Sequence, residues 1–257
     1  MRITGWGASD VGRKRHHNED SLLCNNELSL FAVADGMGGH LGGERASRMA
    51  VEILEREIEK ARRGGLFEPV ESSSPAIEPG DPVGALLRQA VIEADRSIYE
   101  TAVANPALAG MGTTLTALLF NDDQLYLGHV GDSRAYLYRD GRARQLTEDH
   151  SWIQEQVRAG LISAEEARES RFRNIITRSV GFEPSVEPDL STLSVQAGDC
   201  FVVCSDGLSN YLSADEVGQV LTGHFYRDVA KVFVDMANER GGDDNVTCLV
   251  VYAGNEK

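Results

Sequence analysis

The stretch FAVADGMGGH, residues 31–40, predicts a buried strand followed by a glycine-rich turn, with Asp35 where the strand ends. An unpaired buried charge is very costly, so this carboxylate is expected to meet an opposite charge. All-oxygen ligand sets suit Mg²⁺ or Mn²⁺ rather than Zn²⁺. We therefore expect Asp35 to bind divalent metals together with three further acidic segments, Asn18-Glu19-Asp20, Cys204-Ser205-Asp206-Gly207 and Asp243-Asp244-Asn245.

Composition and charge disfavour several classes of function. The 257 residues are 42% hydrophobic and 25% charged, as in ordinary globular proteins, and carry a formal net charge of −15. That charge argues against nucleic acid as a partner, because phosphate backbones are bound by clustered Lys and Arg. No apolar run approaches the roughly 20 residues that span a bilayer, and the first residues lack the apolar core of a signal peptide. The four cysteines lie in apolar runs that suit reduced, buried thiols, so we expect a cytoplasmic protein. We also expect a monomer.

The apolar pattern predicts an α+β protein in which blocks of helices separate runs of strands. Polar residues 64–82 predict a surface loop, and the polar, Arg-rich segment 147–183 predicts a flap beside a site. No repeat or linker divides the chain, so residues 1–257 are interpreted as one domain. Strands are predicted at 3–9, 21–25, 27–34, 114–120, 125–130, 134–138, 200–204 and 246–252, and helices at 46–61, 82–98, 152–159, 164–169, 214–221 and 227–239.

Each acidic segment also has a simpler interpretation as a solvated turn or loop. Asp132, in the stretch GHVGDSR at residues 128–134, suits a hairpin turn in which it pairs with Arg134. However, several acids each end an apolar strand, and burying that many carboxylates without a partner would cost much free energy. This favours the metal interpretation. The glycines after Asp35 do not fit a dinucleotide loop, because Leu41 stands where that motif needs a small residue.

Short motifs follow one another along nearly the whole chain. They are DVG at residues 10–12 with Arg15, NEDS at 18–21, DGMGGH at 35–40, GTT at 112–114, VGDSR at 130–134, LT at 146–147 with DHS at 149–151, ITR at 176–178, SDGL at 205–208 and DN at 244–245. The ordered set resembles bacterial metal-dependent serine/threonine protein phosphatases, the PPM or type 2C family, and order makes the set specific. The resemblance implies a four-layer αββα sandwich, with two antiparallel sheets face to face, helices outside and metals at one end between the sheets.

The resemblance also implies a two-metal centre. Asp35 would bridge the two ions, Asp206 and Asp244 would complete the first site, and Glu19 with the Gly36 carbonyl would serve the second. The cofactors would be two Mn²⁺ or Mg²⁺ ions. Asp35 and Asp206, together with Arg15, would be the catalytic residues.

Further residues match supporting positions of the family. Asp132, together with Asp206, matches a third metal site found in bacterial members. Asp20 would not bind a metal itself but would orient the residues that do. Asn245 would support the neighbouring metal ligand. Arg15 matches the phosphate-binding arginine, and its planar fork favours that role over a solvated basic patch.

Two positions depart from relatives. Animal members place a candidate general-acid histidine two residues after the bridging aspartate, where this chain has Met37. His40 lies three residues later, as in bacterial relatives, and protonation of the leaving alkoxide, substrate docking and packing are open alternatives for it. Asn210 stands where some relatives carry an acid, which weakens the expectation of a third metal.

The resemblance implies a phosphatase that hydrolyses phosphoserine and phosphothreonine. A hydroxide that bridges the metals would attack phosphorus directly, so no protein nucleophile is needed. The substrates would be phosphorylated proteins, and the enzyme would oppose a cognate bacterial Ser/Thr kinase. Two alternatives stay open: a catalytically silent family member that binds phosphoproteins, and a metal-dependent hydrolase of small phosphoesters.

Overall fold

The structure is a computed structural model that describes residues 1–67, 81–170, 172 and 174–255. The strands are β1 Arg2–Asp10, β2 Asp20–Asn25, β3 Leu30–Met37, β4 Gly112–Thr113, β5 Leu115–Asn121, β6 Gln124–Val130, β7 Arg134–Arg139, β8 Arg142–Gln145, β9 Asp189–Ser194, β10 Cys200–Cys204 and β11 Val246–Gly254. The α-helices are α1 His40–Arg63, α2 Pro82–Ala104, α3 Trp152–Arg158, α4 Ala164–Glu169, α5 Asp206–Ser209, α6 Ala214–Gly223 and α7 Tyr226–Glu239. A 3₁₀ helix covers Pro106–Leu108.

Two sheets carry the strands. The first has the order β1-β11-β10-β7-β8, and the second has the order β2-β3-β5-β6-β9 with β4 paired to β3. Every strand pair is antiparallel. No described helix combines the length and the apolar character that crossing a bilayer requires.

Successive side chains of a strand point to opposite faces of its sheet, and this alternation produces the layers. On β3, Leu30, Ala32 and Ala34 pack against the core under α1 and α2, whereas Phe31 and Val33 pack into the core between the two sheets. Strand β10 alternates in the same way, with one face under α6 and α7. The predicted four-layer αββα sandwich is confirmed.

Strand β3 lies three residues further along the chain than the sequence predicted. Asn25 Oδ1 accepts hydrogen bonds from the backbone N–H groups of Glu27 and Leu28, so this segment is a turn and not the start of a strand. At the other end, Gly36 and Met37 pair with β4. Asp35 therefore lies inside a hydrogen-bonded strand, and the glycine turn begins only at Gly38.

The other predicted elements are present, although α1 begins six residues before the predicted 46–61 and α2 ends six residues after the predicted 82–98. The structure adds β4, β8, β9, α5 and the 3₁₀ helix to the predicted elements. The helical pieces predicted in the flap are present as α3 and α4. Strands β8 and β9 were not predicted, because their mostly exposed sequences, RARQ and DLSTLS, show no apolar alternation. Most of the surface loop predicted at 64–82 lies outside the described residues.

Candidate active site

Asp35 faces the space between the two sheets. It continues the side of β3 on which Phe31 and Val33 lie in the inter-sheet core. Asp20 on β2 lies directly opposite Asp35 in the antiparallel register, so both carboxylates share this face. Because like charges directly opposite one another destabilise a sheet, this pair favours a bound proton or a cation.

Hydroxyl groups fix the backbone of Asp35 on both sides. Its N–H donates to Thr114 Oγ1 at 2.9 Å, and its carbonyl accepts from Thr113 Oγ1 at 2.9 Å. Thr114 Oγ1 also lies 2.8 Å from Ser133 Oγ. The GTT and VGDSR motifs thus hold Asp35 in place, a role that the sequence did not reveal because it depends on contacts between strands.

One hydrogen bond joins the sheets behind the metal-ligand candidates. Ser205 Oγ, at the end of β10, donates to Asp20 Oδ2 at 2.8 Å, and Ser205 Oγ accepts from the Thr247 N–H at 3.0 Å. Asp20 therefore stands behind the cleft, consistent with an orienting role. The sequence analysis assigned no role to Ser205 or Thr247.

Asn245 holds the segment that carries Arg15 and Glu19. Its Oδ1 accepts from the Glu19 N–H at 2.8 Å, and its Nδ2 donates to the carbonyls of Val11 and His17, both at 2.9 Å. Its backbone N–H donates to Asp244 Oδ1 at 2.9 Å. Asn245 thus contacts Asp244 through its backbone, while its side chain positions the 11–19 segment.

Gly36 allows two backbone segments to meet beside Asp35. Its N–H donates to the Glu19 carbonyl at 3.2 Å, and a Cβ placed on Gly36 would lie 2.5 Å from that oxygen. A side chain here would therefore separate Glu19 from Asp35.

The carboxylates raise one another's pKa. Burial raises the pKa of Asp35 well above its ordinary value, and the charges of Asp20 and Asp206 raise it further. Burial, with Asp206 nearby, raises the pKa of Asp132 to about 8. Burial also raises the pKa of Asp20 to about 7, against the lowering effect of two hydroxyl hydrogen bonds. For Asp206 the pKa is raised by burial and by Asp244. Without a cation, ionising all of these groups together is unfavourable.

Two side chains already contact carboxylates of the cluster. Arg15 Nη2 donates to Asp244 Oδ2 at 2.7 Å, and Asn210 Nδ2 donates to Asp206 Oδ2 at 3.1 Å. Arg15 remains half exposed, with 52% of its side chain accessible. A guanidinium is thus present at the edge of the cluster.

The alternative interpretation of Asp132 is wrong. The Arg134 guanidinium donates to both oxygens of Asp149, at 2.7 to 3.1 Å, instead of pairing with Asp132. Asp132 is 7% exposed, and its Oδ1 has no hydrogen-bond partner.

A cleft of about 330 Å³ opens at this end of the sandwich. Asn174 and Ile176 of the flap also line it, and the sequence analysis did not single them out for the site. The His40 side chain lies outside what the structure describes. The predicted metal-binding and phosphate-binding residues all line the cleft, namely Arg15, Glu19, Asp35, Gly36, Asp132, Asp206 and Asp244, together with Asn245.

The donor set fits a hard divalent cation. It consists of oxygen atoms, and two of them, Asp20 Oδ1 and Asp132 Oδ1, are buried without a hydrogen-bond partner. Leaving such atoms unpaired is costly, and a nearby cation would offset that cost. Within the described ranges, no three His, Cys, Asp or Glu side chains already surround one ion-sized position. Arg15 and Asn210 instead occupy oxygens of two carboxylates.

A second groove of about 450 Å³ adjoins the cleft and shares Asp132, Asn174 and Asp206 with it. Its walls come from α3 and α4 of the flap and from the segment between α5 and α6. A ligand that enters the cleft can therefore extend along the flap.

The Protein phosphatase 2C family matches residues 5–246. The serine/threonine phosphatase stp of Listeria monocytogenes is 37% identical over 95% of this chain and 93% of its own length. The serine/threonine protein phosphatase PstP of Mycobacterium tuberculosis is 38% identical over 94% of this chain, which spans 43% of that longer protein. A crystal structure of M. tuberculosis PstP superposes with a TM-score of 0.87 at 36% identity, covering 99% of this chain and 100% of that one. A second structure, the PstP catalytic domain in complex with two manganese ions, has a TM-score of 0.83 at 36% identity, covering 98% and 99% of the two chains.

Proposed function

This chain belongs to the protein phosphatase 2C family, and from that premise we propose that its acidic cleft uses Mn²⁺ or Mg²⁺ to remove phosphate from proteins. It is a serine/threonine phosphatase of the 2C type. The observation that carries the metal proposal is the convergence of carboxylates from separate strands and loops on one cleft, with two buried oxygens lacking partners.

The proposed ligands are those that line the cleft. Asp35 would be shared by two ions, with Asp206 and Asp244 completing one site and Glu19 with the Gly36 carbonyl serving the other. A third ion would take Asp132 with Asp206, in competition with the amide of Asn210.

Each side chain then has a defined task. Divalent ions bound here would lower the pKa of a water molecule and supply the nucleophile. Arg15 would turn its fork from Asp244 to the phosphoryl oxygens, which its exposed position permits. Asp20, held by Ser205, would orient the ligands. The role of His40 stays a prediction.

Among the described residues that line the cleft there is no cysteine, so none is placed there to act as the nucleophile. Cys204 and Cys248 lie opposite each other on the helix-facing side of the first sheet. Burial raises the pKa of both thiols, so they stay protonated at neutral pH.

The groove beside the cleft supports a polypeptide substrate, since the residues that flank a phosphorylated side chain need a surface to lie on. We further propose that the enzyme acts in the cytoplasm as a monomer, that it opposes a Ser/Thr kinase, and that residues 1–257 form one catalytic domain.

The test is a metal-titrated assay with matched phosphoserine, phosphothreonine and phosphotyrosine peptides. We expect hydrolysis of the first two that needs Mn²⁺ or Mg²⁺ and that Asp35→Asn abolishes. The control is Asp140→Asn, the same change in an exposed turn where Asn tolerates the positive φ of 52°. Full activity in EDTA would refute metal dependence. Turnover of small phosphoesters alone would favour a hydrolase of small phosphoesters. Binding of the phosphopeptides without turnover would favour a catalytically silent family member.

A further inference from the structure

The turn that carries Asp132 is held by one buried histidine. His150, 5% exposed, accepts a hydrogen bond at Nδ1 from the Gly131 N–H at 3.0 Å. The backbone N–H of His150 donates to the Gly131 carbonyl at 2.7 Å. Both polar groups of Gly131 are therefore bonded to His150.

The other ring nitrogen has a partner that selects the tautomer. Since Nδ1 accepts, Nε2 carries the proton, and Nε2 lies 3.2 Å from Asp189 Oδ2 on β9. Arg178 Nη1 donates to the other oxygen of Asp189 at 2.8 Å. The ring of His129 covers His150, with 4.7 Å between ring centroids.

The position of Asp132 depends on this turn. Gly131 has a φ of +111°, and a Cβ on it would collide with the Thr114 side chain, so this turn requires glycine. Glycine supplies no side chain to fix the turn, which leaves the two hydrogen bonds to His150 to hold its backbone. The next residue, Asp132, is buried, and no hydrogen bond to its Oδ1 fixes the carboxylate. The backbone that His150 holds therefore helps to set the direction in which the carboxylate points.

His150 also joins the two ends of the flap. The Thr177 N–H donates to the His150 carbonyl at 2.8 Å, and the Trp152 N–H donates to the Ile175 carbonyl at 2.8 Å. The residue that holds the Asp132 turn thus lies where the flap leaves and rejoins the sandwich.

We propose that His150 is a positioning residue that holds the Asp132 turn against the cleft through Nδ1, and that Asp189 keeps Nδ1 free of a proton by binding Nε2–H. The inference rests on the proposed function for the role of Asp132 toward a cation. Through His150, the base of the flap and the turn beside the cleft are connected by hydrogen bonds.

Two amide variants separate this role from simple packing. In His150→Asn the side-chain oxygen reaches about as far as Nδ1 and can still accept from Gly131, whereas in His150→Gln the amide reaches the position of Nε2 and leaves the Gly131 N–H unbonded. Residues that orient metal ligands typically change metal affinity about 10- to 100-fold when mutated. We expect His150→Gln to weaken Mn²⁺ binding at the site that Asp132 serves, measured by calorimetry, at least about tenfold, and His150→Asn to retain most of it. We expect kcat to follow the same order, with KM for p-nitrophenyl phosphate changing less.

Thermal melting of both variants checks that each is folded. Equal Mn²⁺ affinity in two folded variants would overturn the proposal, as would weaker binding in His150→Asn than in His150→Gln.

A measurement on the unaltered protein decides the case if either variant fails to fold. Long-range ¹H–¹⁵N NMR of the imidazoles should show His150 as the neutral Nε2–H tautomer, and Asp189→Ala should add the Nδ1–H form. A wild-type His150 protonated at Nδ1 would contradict the proposal. Calorimetry of Mn²⁺ binding and NMR of the tautomer do not require substrate hydrolysis. A failure of the proposed phosphatase activity can therefore be distinguished from a failure of the proposed role of His150.

Discussion

Arg15 donates to Asp244 at 2.7 Å, so the candidate phosphate clamp and a candidate metal ligand form an ion pair at the mouth of the cleft. Desolvation by burial opposes the charge of Arg15, yet the carboxylate of Asp244 leaves the pKa of the guanidinium raised. The same side chain would have to serve two partners in turn, Asp244 and a phosphoryl group.

Arg15→Ala is therefore expected to change two quantities in opposite directions. A hydrogen bond to a charged group contributes about 1.5–3 kcal/mol, so KM for a phosphothreonine peptide should rise about 10- to 100-fold. Mn²⁺ should bind more tightly, because Asp244 loses its competing partner. Peptide kinetics and calorimetry measure the two effects, with Arg13→Ala as the control. An unchanged KM would remove Arg15 from phosphate binding.

Stability in EDTA should fall as the pH rises from 5 to 8. In the folded protein the pKa of Asp20 is about 7 and that of Asp132 about 8, while unfolded aspartate has a pKa of about 3.9. Between these values Asp20 and Asp132 bind more protons in the native state than in the unfolded state, so their contribution to the free energy of unfolding decreases with increasing pH. Thermal melting measures this, and Asp132→Asn should flatten the slope. A Tm that rises across this range in EDTA would contradict the raised pKa values.

Mn²⁺ should stabilise the protein more at pH 8 than at pH 5. Metal ligands must lose their protons before they coordinate, so binding is stronger where the carboxylates are ionised. The measurement is the shift in Tm between EDTA and Mn²⁺ at each pH. A larger shift at pH 5 would show that other groups hold the ion.

Ser205→Ala should destabilise the protein by about 1–3 kcal/mol, because it removes the hydroxyl partner of Asp20 Oδ2 in a buried carboxylate whose Oδ1 has none. Ser205 Oγ is the donor that joins Asp20 to the opposite sheet. Urea unfolding measures the loss, and Ser191→Ala on exposed β9 is the control, expected to change stability by less than about 0.5 kcal/mol. Equal stability of the two variants would show that the inter-sheet bond contributes nothing.

Gln154→Trp should reduce turnover of phosphoproteins relative to turnover of p-nitrophenyl phosphate. Gln154 on α3 lines the groove beside the cleft, and a larger side chain would fill part of it. The control is Glu155→Trp, at the exposed neighbouring position on the same helix, which does not line that groove. If the two variants show the same ratio of protein to small-substrate turnover, polypeptide substrates do not use this groove.

The apolar pattern predicted strands, helices and an α+β class, and acids at strand ends indicated a metal site, because these features leave local signals. The four-layer sandwich and the assignment of each ligand came from the ordered motifs and the family they resemble. The continuous apolar runs of β3 and β10 predict strands that are buried on both faces, and acids at strand ends stand out from these apolar neighbours. Asp132 shows where this fails: Arg134 lies two residues away in sequence, yet it binds Asp149, a choice that only the folded chain makes.

The supporting hydroxyls were missed for the same reason. A serine such as Ser205 or a threonine such as Thr114 has no distinctive pattern until the strands bring it to a carboxylate or a backbone amide. Strand β9 left no apolar signal because its residues are almost all exposed. Its position was set by pairing with β6 and not by its own composition.

The most direct test of the account is the anomalous scattering of crystals grown with Mn²⁺. We expect at least two manganese peaks in the cleft, both within direct bonding distance of the Asp35 carboxylate, with Asp206 and Asp244 on one and Glu19 on the other. Peaks confined to other parts of the surface, with the carboxylates of the cleft bound only to Arg15, Asn210 and water, would contradict it.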